Sequence, residues 1–324
     1  MRVLLALGGN AMSAADGSAT PDAQRAAVGA AMESVAGLIA AGHEVVITHG
    51  NGPQVGNLLV KNELAAAVVP PVSLDWCGAQ TQATIGFMII NALERSLAVR
   101  GCSASVATVV TRTRVDQHDP GFVDPTKPIG RYLPHDQAKP LIGHGQVWQD
   151  RGEKGWRRVV ASPAPVEVLE TKAVLTLIAA GYVVVAAGGG GIPVVRDLDG
   201  GVRGVEAVID KDLTAALLAR SVEADVLVIA TDVDNAIIGF GTPAAEAIHT
   251  VTPEEMREVA AAGHFASGSM GPKVAAAMQF VDQGGQRAVI TSLEHIETAI
   301  TGNFGTVIQG RVNSSQHSSQ NNER

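Results

Sequence analysis

Val3-Leu4-Leu5-Ala6-Leu7-Gly8-Gly9-Asn10 is the stretch that decides the fold. Five consecutive apolar residues stopped by a glycine pair describe a strand buried on both faces, and such strands belong to parallel sheets covered by helices. A helical pattern follows. After Pro21, the residues Val28, Ala31, Met32, Val35, Leu38 and Ile39 recur at i, i+3, i+4 spacing, and Gly42 closes the run. Residues 44–48 repeat the strand signature and end in His49-Gly50-Asn51-Gly52-Pro53-Gln54, where Pro53 suits the start of another helix. Strand, crossover helix and strand define a right-handed βαβ unit.

The alternation continues with a helix over 81–99 and a strand over 105–110. From 112 to 165 the chain turns rich in Pro, Gly and charge and lacks a long apolar helix, which predicts a small inserted subdomain of hairpins and short helices. Beyond residue 167, strands are predicted at 183–187, 226–230, 287–291 and 305–308, with helices at 213–220, 253–262 and 272–283. Both halves have strands that end in glycine clusters and feed helices. Two such halves on one mainly parallel sheet would present their ligands to each other. Residues 311–324 are polar, rich in Ser, Gln and Asn, and are expected to form a disordered tail.

Composition narrows the function. The chain of 324 residues is 46% hydrophobic with only 3% aromatics and 36 glycines, the profile of an α/β enzyme with an aliphatic core. A net charge of −8 argues against a nucleic-acid surface. No apolar run reaches the roughly 18 residues of a membrane span. Cys77 and Cys102 lack CxxC spacing and read as reduced thiols of a cytoplasmic protein. An acidic protein that binds an anion must gather its cations locally, and only seven of its 24 basic residues are lysine. Three of them, Lys127, Lys211 and Lys273, stand in segments punctuated by Gly, Pro or Asp: Pro125-Thr126-Lys127-Pro128, Asp210-Lys211-Asp212 and Met270-Gly271-Pro272-Lys273. An ammonium at a strand end or in the first turn of a helix neutralises a transferring phosphoryl group.

The loops Gly8-Gly9-Asn10 and Gly50-Asn51-Gly52 let backbone amides approach an anion from two consecutive βα units. Neither has dinucleotide spacing, Gly188-Gly189-Gly190-Gly191 misses it too, and no GK[ST] is present. The nine histidines form no metal-ligand spacing, and no serine-hydrolase elbow is found. Asp232 and Asp234 are open to three readings: Mg²⁺, a ribose, or a helix cap.

These segments resemble the amino-acid kinase superfamily and, within it, the carbamate kinases. The resemblance runs in order over about residues 1–309: residues 6–11, 49–57, 125–130, 155–160, 188–195, 204–212 and 263–270. Most of the superfamily places a lysine two residues before the first glycine pair. Here Ala6 holds that place, and Lys127 matches the lysine that this branch supplies from its protruding subdomain. The resemblance implies a three-layer αβα sandwich: a 1–310 kinase domain with an acceptor-side N-terminal half, the protruding subdomain at 112–165, and a nucleotide side at 167–310. It implies ATP + carbamate ⇌ ADP + carbamoyl phosphate, with Mg²⁺ arriving on the nucleotide and no resident metal site, in arginine catabolism. Lys127, Lys211, Lys273 and Asp210 would do the chemistry, with Asp210 orienting the lysines. Gly8, Gly9, Asn10, Gly50, Asn51, Gly52, Gly189 and Gly190 would surround the acceptor and phosphoryl group. Lys211, Thr231, Asp232, Val233, Asn235, Ala266, Ser267, Met270, Pro272 and Lys273 would line the nucleotide pocket. A homodimer through residues 73–95 is expected. Acetylglutamate kinase, or a non-catalytic sensor on the same fold, is the alternative.

Overall fold

The first strand, β1 (Arg2–Leu7), is buried on both faces, and its side chains divide two cores. Val3, Leu5 and Leu7 point into one; Leu4 and Ala6 point into the other. The structure is a computed structural model and describes residues 1–9, 20–143, 145–265, 269–302 and 304–310. Asn10, Ala266, Ser267 and the 311–324 tail therefore lie outside the described residues.

In chain order, β1 is followed by α1 (Pro21–Ala40), β2 (Glu44–His49), α2 (Gly52–Ala65), α3 (Leu74–Val99), β3 (Val106–Thr108) and β4 (Arg112–Val115). Next come β5 (Lys127–Leu133), α4 (His135–Gly143), β6 (Val147–Asp150), β7 (Trp156–Val160) and β8 (Pro165–Val168). The second half holds α5 (Thr171–Ala179), β9 (Val183–Val185), β10 (Ile192–Arg196), β11 (Val202–Gly204), α6 (Lys211–Ser221) and β12 (Val226–Thr231). It closes with β13 (Ile237–Ile238), β14 (Glu246–Ala247), β15 (Thr250–Val251), α7 (Pro253–Ala261), α8 (Met270–Asp282), β16 (Arg287–Ser292), α9 (Ile296–Thr301) and β17 (Thr306–Gln309).

The main sheet has the order β15-β17-β16-β12-β1-β2-β9-β3, and every neighbouring pair is parallel except β16 with β17. Helices α1, α3 and α9 cover one face; α5, α6, α7 and α8 cover the other. This is the expected three-layer α/β sandwich. Because β1 lies between β2 and β12, the loops after these three strands emerge side by side at one edge. Three small sheets lie outside it among the described residues: β5-β7-β6, antiparallel with α4 beside it, β11-β10-β4-β8, and the two-stranded β13-β14.

Several boundaries differ from the sequence reading. Helix α3 starts at Leu74, seven residues before the predicted start, because Trp76 and Gly78 interrupt its apolar period. The hairpin β10–β11 was not predicted. The apolar residues before Asp210 form no regular strand: Val208 N–H donates to Ala161 O at 3.0 Å, and only an isolated bridge links Ala207 to Ala161.

The glycine run after β9 is dictated by space. Ala187 is left-handed with φ 52°, and Gly189, Gly190 and Gly191 all have φ near +70° to +90°. A Cβ on Gly191 would stand 1.9 Å from Thr113 Oγ1. Gly191→Ala is expected to lower stability by about 3 kcal/mol, from backbone strain plus overpacking. Gly200→Ala, also at positive φ but in open space, should lose only about 1 kcal/mol. Denaturant unfolding of the two variants checks this, and equal losses would mean the steric contact has no cost.

Candidate active site

Helix α6 begins where the chain returns to the sheet edge, and Asp210 caps it. Its Oδ1 accepts from the amides of Asp212 at 2.9 Å and Leu213 at 3.4 Å, which satisfies two of the free amides of the first turn. Capping fixes the carboxylate, so its other oxygen has a set direction. That oxygen, Oδ2, accepts from Lys127 Nζ at 2.8 Å. Lys127 opens β5 in the small antiparallel sheet, 83 residues away in sequence.

Asp212 gathers the other two lysines. Its Oδ2 accepts from Lys273 Nζ at 3.0 Å, and Lys211 Nζ lies 2.7 Å from its Oδ1. The Lys211 contact is a close ion pair between two buried side chains, 12% and 6% exposed, on neighbouring residues of the first turn. Burial pulls the Lys211 ammonium below the ordinary lysine value, Asp212 opposes that shift, and Lys273 adds to it. For Asp212, burial pushes the carboxyl up, but the two ammonium groups outweigh it and hold it below the usual range. Lys273 reaches this point from the first turn of α8, where a cation opposes the helix dipole.

The three lysines converge on one cavity of about 380 Å³ at the carboxyl edge of β1, β2 and β12. Gly8, Gly9, Gly50, Asn51, Gly52, Gly189, Thr231, Asp232 and Pro272 share its wall with Lys127, Asp210, Lys211 and Lys273. Four expected residues do not line it. Gly190 is packed behind the wall, where its Cβ would stand 2.5 Å from Ile209 O. Val233 and Met270 are half-buried beside it, and the Asn235 amide donates to Ile248 O at 2.9 Å. Asp234 turns away to His295, 3.0 Å from its ring. A second cavity of about 500 Å³ adjoins on the far side of Lys127, toward Arg131 and Arg157.

Two sequence expectations need correction. Gly8 and Gly50 do not offer amides to a ligand: Gly8 N–H donates to Ala230 O and Gly50 N–H to Leu7 O, both at 3.0 Å. They serve by lacking a side chain, since a Cβ on Gly50 would meet Gly9 N at 3.0 Å. And Asp210 does not orient all the lysines. It holds Lys127, while Asp212 holds Lys211 and Lys273. The sequence signal for Asp212 was its adjacency to Lys211; its contact with Lys273 spans 61 residues and left no local trace.

Beneath the loops, His49 is buried, and desolvation drops it to about 4 against a smaller opposing bond with Gly50 O. It is neutral at physiological pH and fills the space that Gly188 leaves; a Cβ there would touch its ring at 2.3 Å. Gln82 of α3 completes the floor, donating to Thr111 O and Gly188 O and accepting from Thr111 N–H.

An open α/β sheet with cations concentrated at the carboxyl edge of its central strands defines a phosphoryl-transfer or phosphate-binding protein. The comparisons agree. The model of the amino acid kinase family matches residues 1–292. The carbamate kinases of Pyrococcus furiosus and Thermococcus kodakarensis are 43% and 45% identical over 95% of this chain, in each case spanning 98% of the relative. The carbamate kinase of Giardia lamblia bound to AMP-PNP superposes with a TM-score of 0.90 at 40% identity, covering 95% of this chain and 98% of that one. The chain belongs to the amino acid kinase family, in its carbamate kinase branch.

A buried ammonium that is charged only below a lowered pKa ties function to pH. Activity that needs charged Lys211 is full at low pH and falls as pH rises through that pKa, below 10.5. Asp212→Asn removes the opposing charge. It is expected to move the alkaline limb of kcat down by roughly one to two pH units. A pH–rate profile checks this, and an unmoved limb would remove Lys211 from the titration.

Proposed function

We propose that this protein transfers a phosphoryl group between ATP and carbamate, giving ADP and carbamoyl phosphate. The observation that carries the reading is the convergence of three ammonium groups, from β5, α6 and α8, on one cavity whose first strand holds buried Ala6. Carbamate is already an oxyanion, so the acceptor needs no general base. The demand is to hold two anions in line and to neutralise the charge between them.

Lys211 and Lys273 take the transferring phosphoryl and the leaving phosphate. Lys211 is suited to this, because its buried ammonium is held in the cavity wall by the Asp212 carboxylate and has further N–H donors for a phosphoryl oxygen. Lys127 takes the acceptor side and marks the boundary between the two cavities. Asp210 and Asp212 hold the three lysines in place before substrate arrives, so little reorganisation is left for the transition state. Gly9 and Gly52 line the same space, and the start of α2 at Gly52 favours an anion there. Thr231, Asp232 and Pro272 form the nucleotide end.

The wall fits a metal carried by the nucleotide better than a resident one, since Asp210 and Asp212 are both committed to lysines. Mg²⁺ bound to the polyphosphate would neutralise its charge and align its oxygens. The reading extends to a cytoplasmic enzyme that forms ATP from arginine-derived carbamoyl phosphate. It extends also to a homodimer. On α3, Trp76 and Phe87 are 62% and 63% exposed on one face, together with exposed Gln80, Ala83 and Thr84, a stripe suited to a second copy.

Purified protein is expected to form ATP from ADP and carbamoyl phosphate and to leave acetylglutamate unphosphorylated; the reverse pattern would overturn the substrate. Activity should vanish in EDTA and return with Mg²⁺, and full turnover in EDTA would refute the metal requirement. Lys127→Ala is expected to lower kcat/KM about 100-fold, the loss of ~3 kcal/mol from a charge-assisted contact, without unfolding the protein. Lys127→Arg should rescue poorly, because a guanidinium is longer and flat. Near-wild-type kinetics of Lys127→Ala would end its role in the site.

A further inference from the structure

Glu206 lies four residues before Asp210 and joins its loop to two other parts of the molecule. Its Oε2 accepts from the amide of Leu74, the first residue of α3, at 3.0 Å. The N-cap residue of that helix, Ser73, makes no capping bond of its own and turns its hydroxyl to Asp75. Glu206 therefore caps α3 from a distant loop, where a carboxylate also meets the favourable end of the helix dipole. Its Oε1 accepts from Arg158 Nη2 at 2.7 Å. Arg158 sits on β7, whose neighbour β5 begins with Lys127; the pairing sets Ile129 opposite Arg158 and Lys127 opposite Val160. The Arg158 side chain is 14% exposed and its Nε is buried with no partner among the described residues. The bond to Glu206 is thus the polar anchor of a largely buried guanidinium.

The small sheet meets the loop at three successive points: Arg158 to Glu206, Ala161 O to Val208 N–H at 3.0 Å, and Lys127 to Asp210. The middle contact is backbone and the last is part of the reacting site. The first is a side-chain pair that lines neither of the two cavities at Lys127.

We propose that Glu206 is a positioning residue for phosphoryl transfer, joining the start of α3 to Arg158 and so fixing the small sheet that delivers Lys127. Without it, β7 loses its anchor and β5 shifts along the loop, so Lys127 meets the acceptor less often. A displacement of about 1 Å at a reacting group costs up to about 100-fold in rate. This inference rests on Lys127 serving the acceptor side. It assigns the effect of Glu206 to that side of the reaction and not to the nucleotide end, which α8 and the loop after β12 build.

The test is a double-mutant cycle read by steady-state kinetics for both substrates. Glu206→Ala is expected to lower kcat/KM for carbamoyl phosphate about 10- to 50-fold and to leave KM for ADP within about twofold. Glu206→Gln retains an acceptor for Leu74 but turns an NH2 donor toward Arg158, so it keeps the helix cap and should still show most of the loss. Arg158→Met, which keeps the apolar stem, should resemble Glu206→Ala and serves where that variant fails to fold. In a Lys127→Ala background, Glu206→Gln and Arg158→Met should each add less than about a twofold loss, since the group they position is gone. Full additivity, or equal losses for both substrates, would overturn the proposal and leave the role of Lys127 standing. Wild-type kinetics of Lys127→Ala alone would instead remove the reading on which it rests.

Discussion

One carboxylate, that of Asp212, holds two ammonium groups together, and the site depends on it. Lys211 and Lys273 stand in the first turns of α6 and α8, where the helix dipoles repel cations. They also repel each other, and burial adds a desolvation cost. Asp212 offsets these effects while the cavity holds no anion. Asp210 does the same for Lys127 from the cap of the same helix. Two aspartates flanking one lysine thus distribute three charges over three elements. The parallel sheet supplies the frame, since only adjacent strands β1, β2 and β12 bring their following loops to one edge.

The frame was legible because strands buried on both faces leave a continuous apolar run that polar segments do not imitate. Each run that named a strand of the main sheet, from β1 to β17, is one in the structure. Helix starts were less legible where the cap comes from elsewhere: Leu74 is capped by Glu206, 132 residues away, and nothing near Ser73 announces it. The residues before Asp210 are apolar without forming a regular strand. Their side chains pack into different clusters: Val208 lies against that of Val55, Leu59 and Ile129, while Ile209 joins Val115 and Val195.

Within the site, the lysines could be picked out since they are few and oddly placed, but their partners could not. Contacts that span 61 and 83 residues are decided by tertiary packing. Glycines raised the opposite difficulty. The sequence gives no means to tell a glycine that donates to a ligand from one that is small because its neighbours are close. Gly8 and Gly50 are of the second kind, and Gly190 packs on a carbonyl.

The concentration of cations in one cavity sits inside a molecule of net charge −8. A polyphosphate approaching from bulk solvent first meets a repulsive field and feels the lysines only within about a Debye length, about 8 Å at physiological ionic strength. Far and near fields have opposite signs. Moderate salt therefore speeds encounter by screening the acidic shell, while higher salt weakens the pocket's own attraction. Association should pass through a maximum with ionic strength, where a uniformly basic phosphate site would only decline.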